Sequence, residues 1–446
     1  MKKVLVYGLK SSGIAVIDAL IDDYDIYIYD DNREQLEKIN EYYCGIVKVI
    51  YNLENELDKI INEFSFVVIS PAISIYKKEI KSMIDSGLEV IGELELGYKL
   101  GVKPLVSITG SNGKSTTVKL IEYIFIVSKK CARAVGNIGE PITKFFSLQQ
   151  KNLINEVSSF QLETIKDYTS PISAILNITP NHLDRHKTFE EYKRTKLKLL
   201  NNASIKVLNY DDENLKNIKG YYFSIKEKVK GAYLDNKDGY LKLNVKRLIP
   251  LIHKSELKIL GDHNIQNALA SSLICYLLGI KLRYIKYGLR NFKGLKHRLN
   301  VVDKIDNITF INDSKSTSID SCLTAVKSLK DDITLLLGGK DKNLDYVDMF
   351  KELSKIENIK NIIVYGEICQ NLYNDYKKSN AHTNIYRCNR LQDSIEKAIQ
   401  VTNKGIILLS PATSSFDEFE CFEDRGNFFE KQVREYVNER KKQVKK

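Results

Sequence analysis

The stretch "KPLVSITGSNGKSTTVKLIEYIFIV", residues 103–127, decides how the rest of the chain is read. An apolar run ends at Gly110, a Ser/Asn/Gly turn leads to Lys114, and an apolar helical run follows at once. Such a turn between strand and helix is a phosphate cradle. Glycines let the backbone approach an anion, N–H groups point into the loop, and the helix presents its positive end. Lys114 suits β- and γ-phosphates, and the hydroxyl of Ser115 or Thr116 suits Mg²⁺. The general pattern G-x-x-x-x-G-K-[ST] also asks for a glycine at position 108, which is Ile108. Gly110, Gly113 and the strand–helix context still favour ATP binding over an ordinary Gly-Lys turn.

The same strand–turn–helix rhythm extends in both directions. Upstream, "KVLVYGL" predicts a strand, "GIAVIDALIDDY" a helix, "DIYIYD" and "FSFVVISPA" further strands, and "YKKEIKSMIDSG" a helix with a glycine stop. Downstream, "ISAILNIT" and "IKVLNY" predict strands and "NIQNALASSLICYLLGI" a helix. Beyond residue 298, "ITFINDS", "DITLLLGG", "NIIVYG" and "GIILLSPA" alternate with helices such as "SIDSCLTAVKSLK" and "LQDSIEKAIQVTN". Alternation of this kind predicts parallel sheets with covered faces. The expected architecture is α/β with three domains in series. A Rossmann-like N-terminal domain spans 1–93, a central phosphate-loop ATPase domain with a mostly parallel sheet spans 94–297, and a Rossmann-like C-terminal domain spans 298–446. A length of 446 residues suits two or three domains at roughly 150 residues each.

Composition removes other classes. No apolar run approaches the ~18 residues of a membrane span. The first residues, "MKKVLVYGLKSSG", lack the apolar length and cleavage site of a signal peptide. Seven scattered cysteines, none in a C-x-x-C pair, give neither a zinc site nor a disulfide framework, and the expected compartment is a reducing cytoplasm. The net charge of +11 comes from lysines spread among acids, so no nucleic-acid partner is expected. The one basic cluster, "ERKKQVKK" at the C-terminus, reads as a solvated tail. Short connections between the domains favour a monomer.

Polar knots follow many of the apolar runs. "YGLKSSG" has Gly8 and Gly13 at the outer positions of a dinucleotide fingerprint, but Lys10 replaces the middle glycine. Asp30 ends the next strand at the distance of a ribose contact. The bland reading, a tight turn, stands beside a ligand role here. Glu156 ends a short apolar strand, where a carboxylate can meet Mg²⁺. "NHLDRH" places His182, Asp184, Arg185 and His186 just beyond another strand, where sites on open sheets cluster. "NDSKSTS", "LLLGGKDK" and "SPATSSFDEF" each directly follow or end an apolar strand. Singly these are helix caps; together they point to a shared crevice at a sheet edge.

Taken in order, "TGSNGKST", "GNIGEP", "EVSSFQLE", "NHLDRH", "YKRTK", "GDHNIQNALA", "HRL", "NDSKSTS", "LLLGGKDK" and "SPATSSFDEFECFEDRGNFF" resemble the Mur ligases over essentially the whole chain. These are the ATP-dependent amide-forming enzymes of peptidoglycan precursor synthesis. "SSFQLE", "NDSKSTS" and the "SPATSSFDEF" ending resemble the D-glutamate-adding branch, and the D-N-P-R motif of the diaminopimelate-adding branch is missing.

The resemblance implies roles residue by residue. Gly110, Asn112, Gly113, Lys114, Ser115 and Thr116 would bind ATP phosphates, with Asn267, His297, Arg298 and Asp313 near its nucleoside or phosphates. Ser115 and Glu156 would hold one Mg²⁺. His182 would hold a second with Lys196, the lysine that the family carbamylates. Ser11, Ser12, Asp30 and Ser70 would meet the UDP part of a nucleotide-sugar substrate, UDP-N-acetylmuramoyl-L-alanine, with Asn137 and Ser158 nearer its acyl end. Lys315, Thr317, Lys342, Ser415 and Phe422 would surround D-glutamate. Lys114, His182 and Lys196 would be the catalytic set, and the general base stays open between His182 and other groups. Two positions depart from the family, Ala72 where glycine is common and Asn32 where arginine can occur.

Two other readings remain. A folylpolyglutamate synthetase-like ligase would share the loop and the amide chemistry, but the α/β domain ahead of the loop disfavours it. A non-catalytic nucleotide-sugar-binding protein would have no need of the Lys114, Glu156, His182 and Lys196 set.

Overall fold

The computed structural model describes residues 2–147, 152–342 and 344–444. Residues Met1–Glu256 and Ile265–Asn291 form one compact unit, and Leu257–Asn264 with Phe292–Lys446 form another. The first unit holds two sheets and the second holds one.

The N-terminal sheet contains β1 (Lys2–Tyr7), β2 (Tyr24–Tyr29), β3 (Lys48–Val49), β4 (Phe64–Ile69) and β5 (Val90–Gly92). Its order is β3-β2-β1-β4-β5, with every pairing parallel. The apolar run of β1 is continuous because both faces are covered. Val4 and Val6 join one core cluster, whereas Leu5 and Tyr7 join the other. The chain reverses beside β1, so the turn after β1 lies at a switch point, where open α/β sheets form crevices.

The central sheet contains β6 (Val106–Thr109), β7 (Arg133–Gly136), β8 (Leu153–Glu156), β9 (Ile172–Ile175), β10 (Ile205–Asn209), β11 (Tyr221–Ser224), β12 (Gly231–Leu234), β13 (Tyr240–Asn244) and β14 (Leu248–His253). Its order is β14-β13-β12-β11-β10-β9-β6-β8-β7. From β7 to β12 the pairing is parallel, and β12-β13-β14 add an antiparallel meander. Ile108 lies inside β6, fully buried and paired with Glu156 of β8. The strand therefore continues where the general phosphate loop has already begun, and the turn here is only Gly110–Gly113. The helix Lys114–Val127 follows it directly.

The C-terminal sheet contains β15 (Asn300–Ile305), β16 (Ile308–Asn312), β17 (Ile333–Gly338), β18 (Ile359–Tyr365), β19 (Asn384–Arg387) and β20 (Gly405–Leu409), in the order β15-β16-β20-β17-β18-β19. Only the β15–β16 pair is antiparallel. Along β17, Leu335 and Leu337 enter one core and Leu336 the other, so "ITLLLG" is buried on both faces. Each such leucine contributes about 2 kcal/mol by burial.

The basic C-terminal cluster is helical. Its described residues are exposed, as a solvated charge run should be, but they continue the long helix Phe422–Val444, whose Phe429, Val433 and Val437 pack into the C-terminal core. Arg440 pairs with Asp306 at 2.8 Å. The apolar spacing every three or four residues outweighs the local charge run.

Candidate functional site

The phosphate-loop candidate is held in place by contacts from neighbouring segments. Gly113 has φ +85°, and a Cβ there would sit 2.4 Å from Asn267 Oδ1, so only glycine fits. Asn267 also accepts a hydrogen bond from Thr117 Oγ1 at 3.2 Å, which pins the loop to the helix Asp262–Leu277. Asn112 and Asn177 clasp each other. The Asn112 N–H donates to Asn177 Oδ1 at 2.8 Å, and Asn177 Nδ2 donates to the Asn112 carbonyl at 3.1 Å. Ser111 is buried and bonded to Thr179 and Tyr192. Ser115 and Thr116, in the first turn of the following helix, are both buried.

Two lysines converge on one oxygen. Lys114 Nζ donates to Gly110 O at 2.7 Å and Ser111 O at 3.1 Å, while Lys196 Nζ donates to Gly110 O at 3.0 Å. Lys196 is buried on the helix Phe189–Leu197, and its Nζ also donates to Thr109 Oγ1 at 3.3 Å. Burial holds its ammonium well below the usual lysine range, and nearby Lys114 adds to this against the pull of Glu156. A buried cation beside a second cation is strained electrostatically and favours the neutral amine.

Glu156 ends β8 and is buried. Its Oε1 accepts from Asn137 Nδ2 at 2.8 Å, but among the described residues its buried Oε2 has no hydrogen-bond partner. An orphaned buried carboxylate oxygen is costly unless a cation or proton meets it, so the donor chemistry here fits Mg²⁺. Ser158 caps the short helix Ser159–Leu162 in a reciprocal capping box with Gln161. His182 takes a left-handed backbone (φ +52°), and its ring meets Phe160 edge-on at 4.9 Å. Desolvation lowers its pKa, Asp184 opposes this, and Lys114, Lys196 and Arg185 add to the lowering. Among the described residues no three His, Cys, Asp or Glu side chains converge as a metal site. A cation would therefore need hydroxyl, phosphate or modified-lysine ligands beside Glu156 and His182.

The N-terminal turn is built differently. Gly8 has φ +96°, and a Cβ there would lie 2.6 Å from Ser70 Cβ. Both carboxylate oxygens of Asp30 accept backbone N–H groups, from Leu9 at 2.7 Å and Asn32 at 2.8 Å. Ser11 and Ser12 open the helix Ser11–Leu20, and Ser70 follows β4. Asn32 caps the helix Arg33–Tyr42 by accepting from Gln35 N.

The second unit gathers its own candidates. Asp313 follows β16, is buried, and accepts from Ser410 Oγ at 2.8 Å and Leu299 N at 3.2 Å. Burial pushes its pKa up to about 6. His297 (φ +61°), next to Arg298, is buried with Nδ1 2.9 Å from Asn312 Nδ2. Lys315 lies over the Phe422 ring at 5.2 Å. Lys342 donates to the Thr317 carbonyl at 2.6 Å, and its pKa is lowered by burial and then by Arg425. Ser415 is buried, and its carbonyl accepts from Phe419 N at 2.9 Å.

Arg425 was given no role by sequence reasoning, although it stands in the C-terminal stretch "SPATSSFDEFECFEDRGNFF". It is fully buried and donates to Ser314 O at 2.9 Å, Ser314 Oγ at 3.0 Å, Thr413 O at 3.0 Å, Ser414 O at 3.1 Å and Gly338 O at 3.3 Å. One guanidinium thus ties the loops after β16, β17 and β20, which carry Lys315, Lys342 and Ser415.

The model of the Mur ligase middle domain matches residues 108–275. The chain is similar to the UDP-N-acetylmuramoylalanine–D-glutamate ligase of Caldanaerobacter subterraneus subsp. tengcongensis, 37% identical over 97% of this chain and 98% of that protein. The enzyme of the same name from Clostridioides difficile is 35% identical over the same shares of both. Among solved structures, the UDP-N-acetylmuramate-alanine ligase of Thermotoga maritima aligns over 98% of this chain and 99% of its own, with TM-score 0.59 and 18% identity, which speaks to the fold. With the phosphate loop, the orphaned Glu156 oxygen and this likeness over nearly its full length, the chain belongs to the Mur ligase family.

Proposed function

We propose that this chain is the ATP-dependent ligase that adds D-glutamate to UDP-N-acetylmuramoyl-L-alanine in peptidoglycan precursor synthesis, acting in the cytoplasm. The observation that carries the reading is the full-length likeness to relatives named for that reaction, at up to 37% identity. Residues 1–93 would take the UDP part of the substrate, 94–297 ATP, and 298–446 D-glutamate.

The chemistry joins a carboxylate to an amine. The alanine carboxylate attacks the γ-phosphorus of ATP, ADP leaves, and the acyl phosphate formed is attacked by the neutral amine of D-glutamate with release of phosphate. Repulsion between carboxylate and triphosphate is the main obstacle, and preplaced positive charge answers it. Lys114 and the N-terminus of Lys114–Val127 would supply that charge from the chain. Ser115 and Glu156 would hold one Mg²⁺, and His182 with Lys196 a second. When bound, Mg²⁺ neutralises phosphate charge. The depressed pKa of Lys196 supports carbamylation, because only a neutral amine adds to carbon dioxide. Lys342 and Thr317 suit the distal carboxylate of D-glutamate, with Lys315, Ser415 and Phe422 around it.

The test is phosphate release with UDP-N-acetylmuramoyl-L-alanine and ATP, supplied with D-glutamate, L-glutamate or meso-diaminopimelate. Release with D-glutamate alone is expected. Release with another amino acid would reassign the substrate, and none with any of them would end the reading.

A further inference from the structure

Arg185 lies in the polar knot after β9, and its guanidinium is bonded on several sides within the protein. Nε donates to Glu163 Oε1 at 3.1 Å and Nη2 pairs with Glu163 Oε2 at 2.5 Å. Nη1 and Nη2 also donate to the carbonyls of Ala72 at 3.1 Å and Ile73 at 2.8 Å. The guanidinium covers the Phe160 ring at 4.6 Å, and that ring meets His182 edge-on. Both ends of the pair are nearly buried, with side-chain exposures of 10% and 2%. Arg185 and Glu163 line a cavity with Ser70, Pro71, Ile73 and Phe160. A second tie closes the far end of the same loop, where Tyr76 OH bonds Glu191 and Lys187 lies over the Tyr76 ring at 4.3 Å.

A planar guanidinium is the one side chain that can hold a carboxylate in two bonds and still reach two carbonyls in fixed directions. Here those directions join the loop after β4, on the N-terminal sheet, to the segment carrying His182, on the central sheet. We propose that Arg185, oriented by Glu163, is a positioning residue that sets the loop Ser70–Ile73 against the His182 segment, and so fixes where the acyl end of a nucleotide-sugar falls relative to the phosphate loop. The inference rests on the reading above for its ligand, but not for the docking itself.

The test uses the full chain and the Arg185→Lys variant, which keeps the charge beside Glu163 and gives up the carbonyl bonds. Affinity for UDP-N-acetylmuramoyl-L-alanine is measured by calorimetry, KM for ATP and for D-glutamate by phosphate release, and docking by amide hydrogen exchange over residues 70–77. The expected result is a Kd for the nucleotide-sugar raised about tenfold or more, both KM values within about twofold, and faster exchange over 70–77 only. An unchanged Kd, an unchanged exchange rate, or all constants moving together would overturn the proposal. If Arg185→Lys does not fold, Glu163→Gln is judged by the same criteria. A wild-type protein that binds no nucleotide-sugar would instead overturn the substrate reading, and the exchange rates would still decide whether Arg185 docks the loop.

Discussion

The turns after β1 and β6 share a plan, strand to glycine turn to helix, and differ in where their polar groups are used. After β1, Asp30 gives both carboxylate oxygens to backbone N–H groups, so its charge serves to hold the turn. After β6, amides and hydroxyls do that holding, through Asn112, Asn177 and Ser111. The charged groups stand differently there: Glu156 keeps an oxygen without a partner among the described residues, and Lys114 and Lys196 crowd one carbonyl. A strand-end knot that satisfies itself with neutral groups keeps its charges for a ligand. One that satisfies itself with charge has less to offer.

That contrast can be broken most sharply at Lys114. Lys114→Ala should lower kcat by about 1000-fold in a phosphate-release assay. Next comes Lys196→Ala, expected to lose about 100-fold in kcat, with partial recovery in acetate if a carbamate is the missing ligand. Full activity without acetate would remove Lys196 from the mechanism. The two turns can then be set against each other with Gly8→Ala and Gly113→Ala. Both force a left-handed backbone and a close contact, and each should destabilise by about 2–3 kcal/mol in denaturant unfolding. Only Gly113→Ala should also raise the KM for ATP, by about tenfold; equal effects on KM would erase the distinction.

The smallest effect is expected at Asp313, the carboxylate of the second unit that is buried among neutral donors. Its folded pKa of about 6 lies above the unfolded value, so the folded state binds its proton more tightly. Its contribution to stability is therefore full below about pH 4 and is lost as pH rises through 6. Asp313→Asn should flatten that part of the pH dependence in unfolding curves taken between pH 4 and 7. An unaltered slope would mean that the group titrates normally.

Parallel strands buried on both faces were legible as apolar runs, and β1, β4, β6, β17 and β20 all coincide with such runs. The meander β12–β14 was not, because a strand whose apolar residues alternate with polar ones, such as "YLKLN", carries no continuous apolar signal. The C-terminal helix was obscured by its own charges. At the site, the chemistry-bearing groups of the phosphate loop were legible, because they sit within a few residues of a strand end. The contacts that position them were not, although Arg185 itself was among the candidates. Arg185 finds its partners 22 and more than 100 residues away, and Arg425 bonds mostly to main-chain oxygens, which every residue has and no sequence pattern marks.

That preference of Arg425 for carbonyl oxygens bears on how such a protein can vary. Partners made of backbone leave the side chains of the loops after β16, β17 and β20 free to change, provided each chain keeps its path. Descendants could therefore exchange residues in these loops one at a time and drift toward a different amino-acid substrate. An insertion or deletion in any one loop would displace its carbonyl from the shared guanidinium and disturb the other two. Heritable change at this end of the molecule should thus appear as substitution at constant loop length.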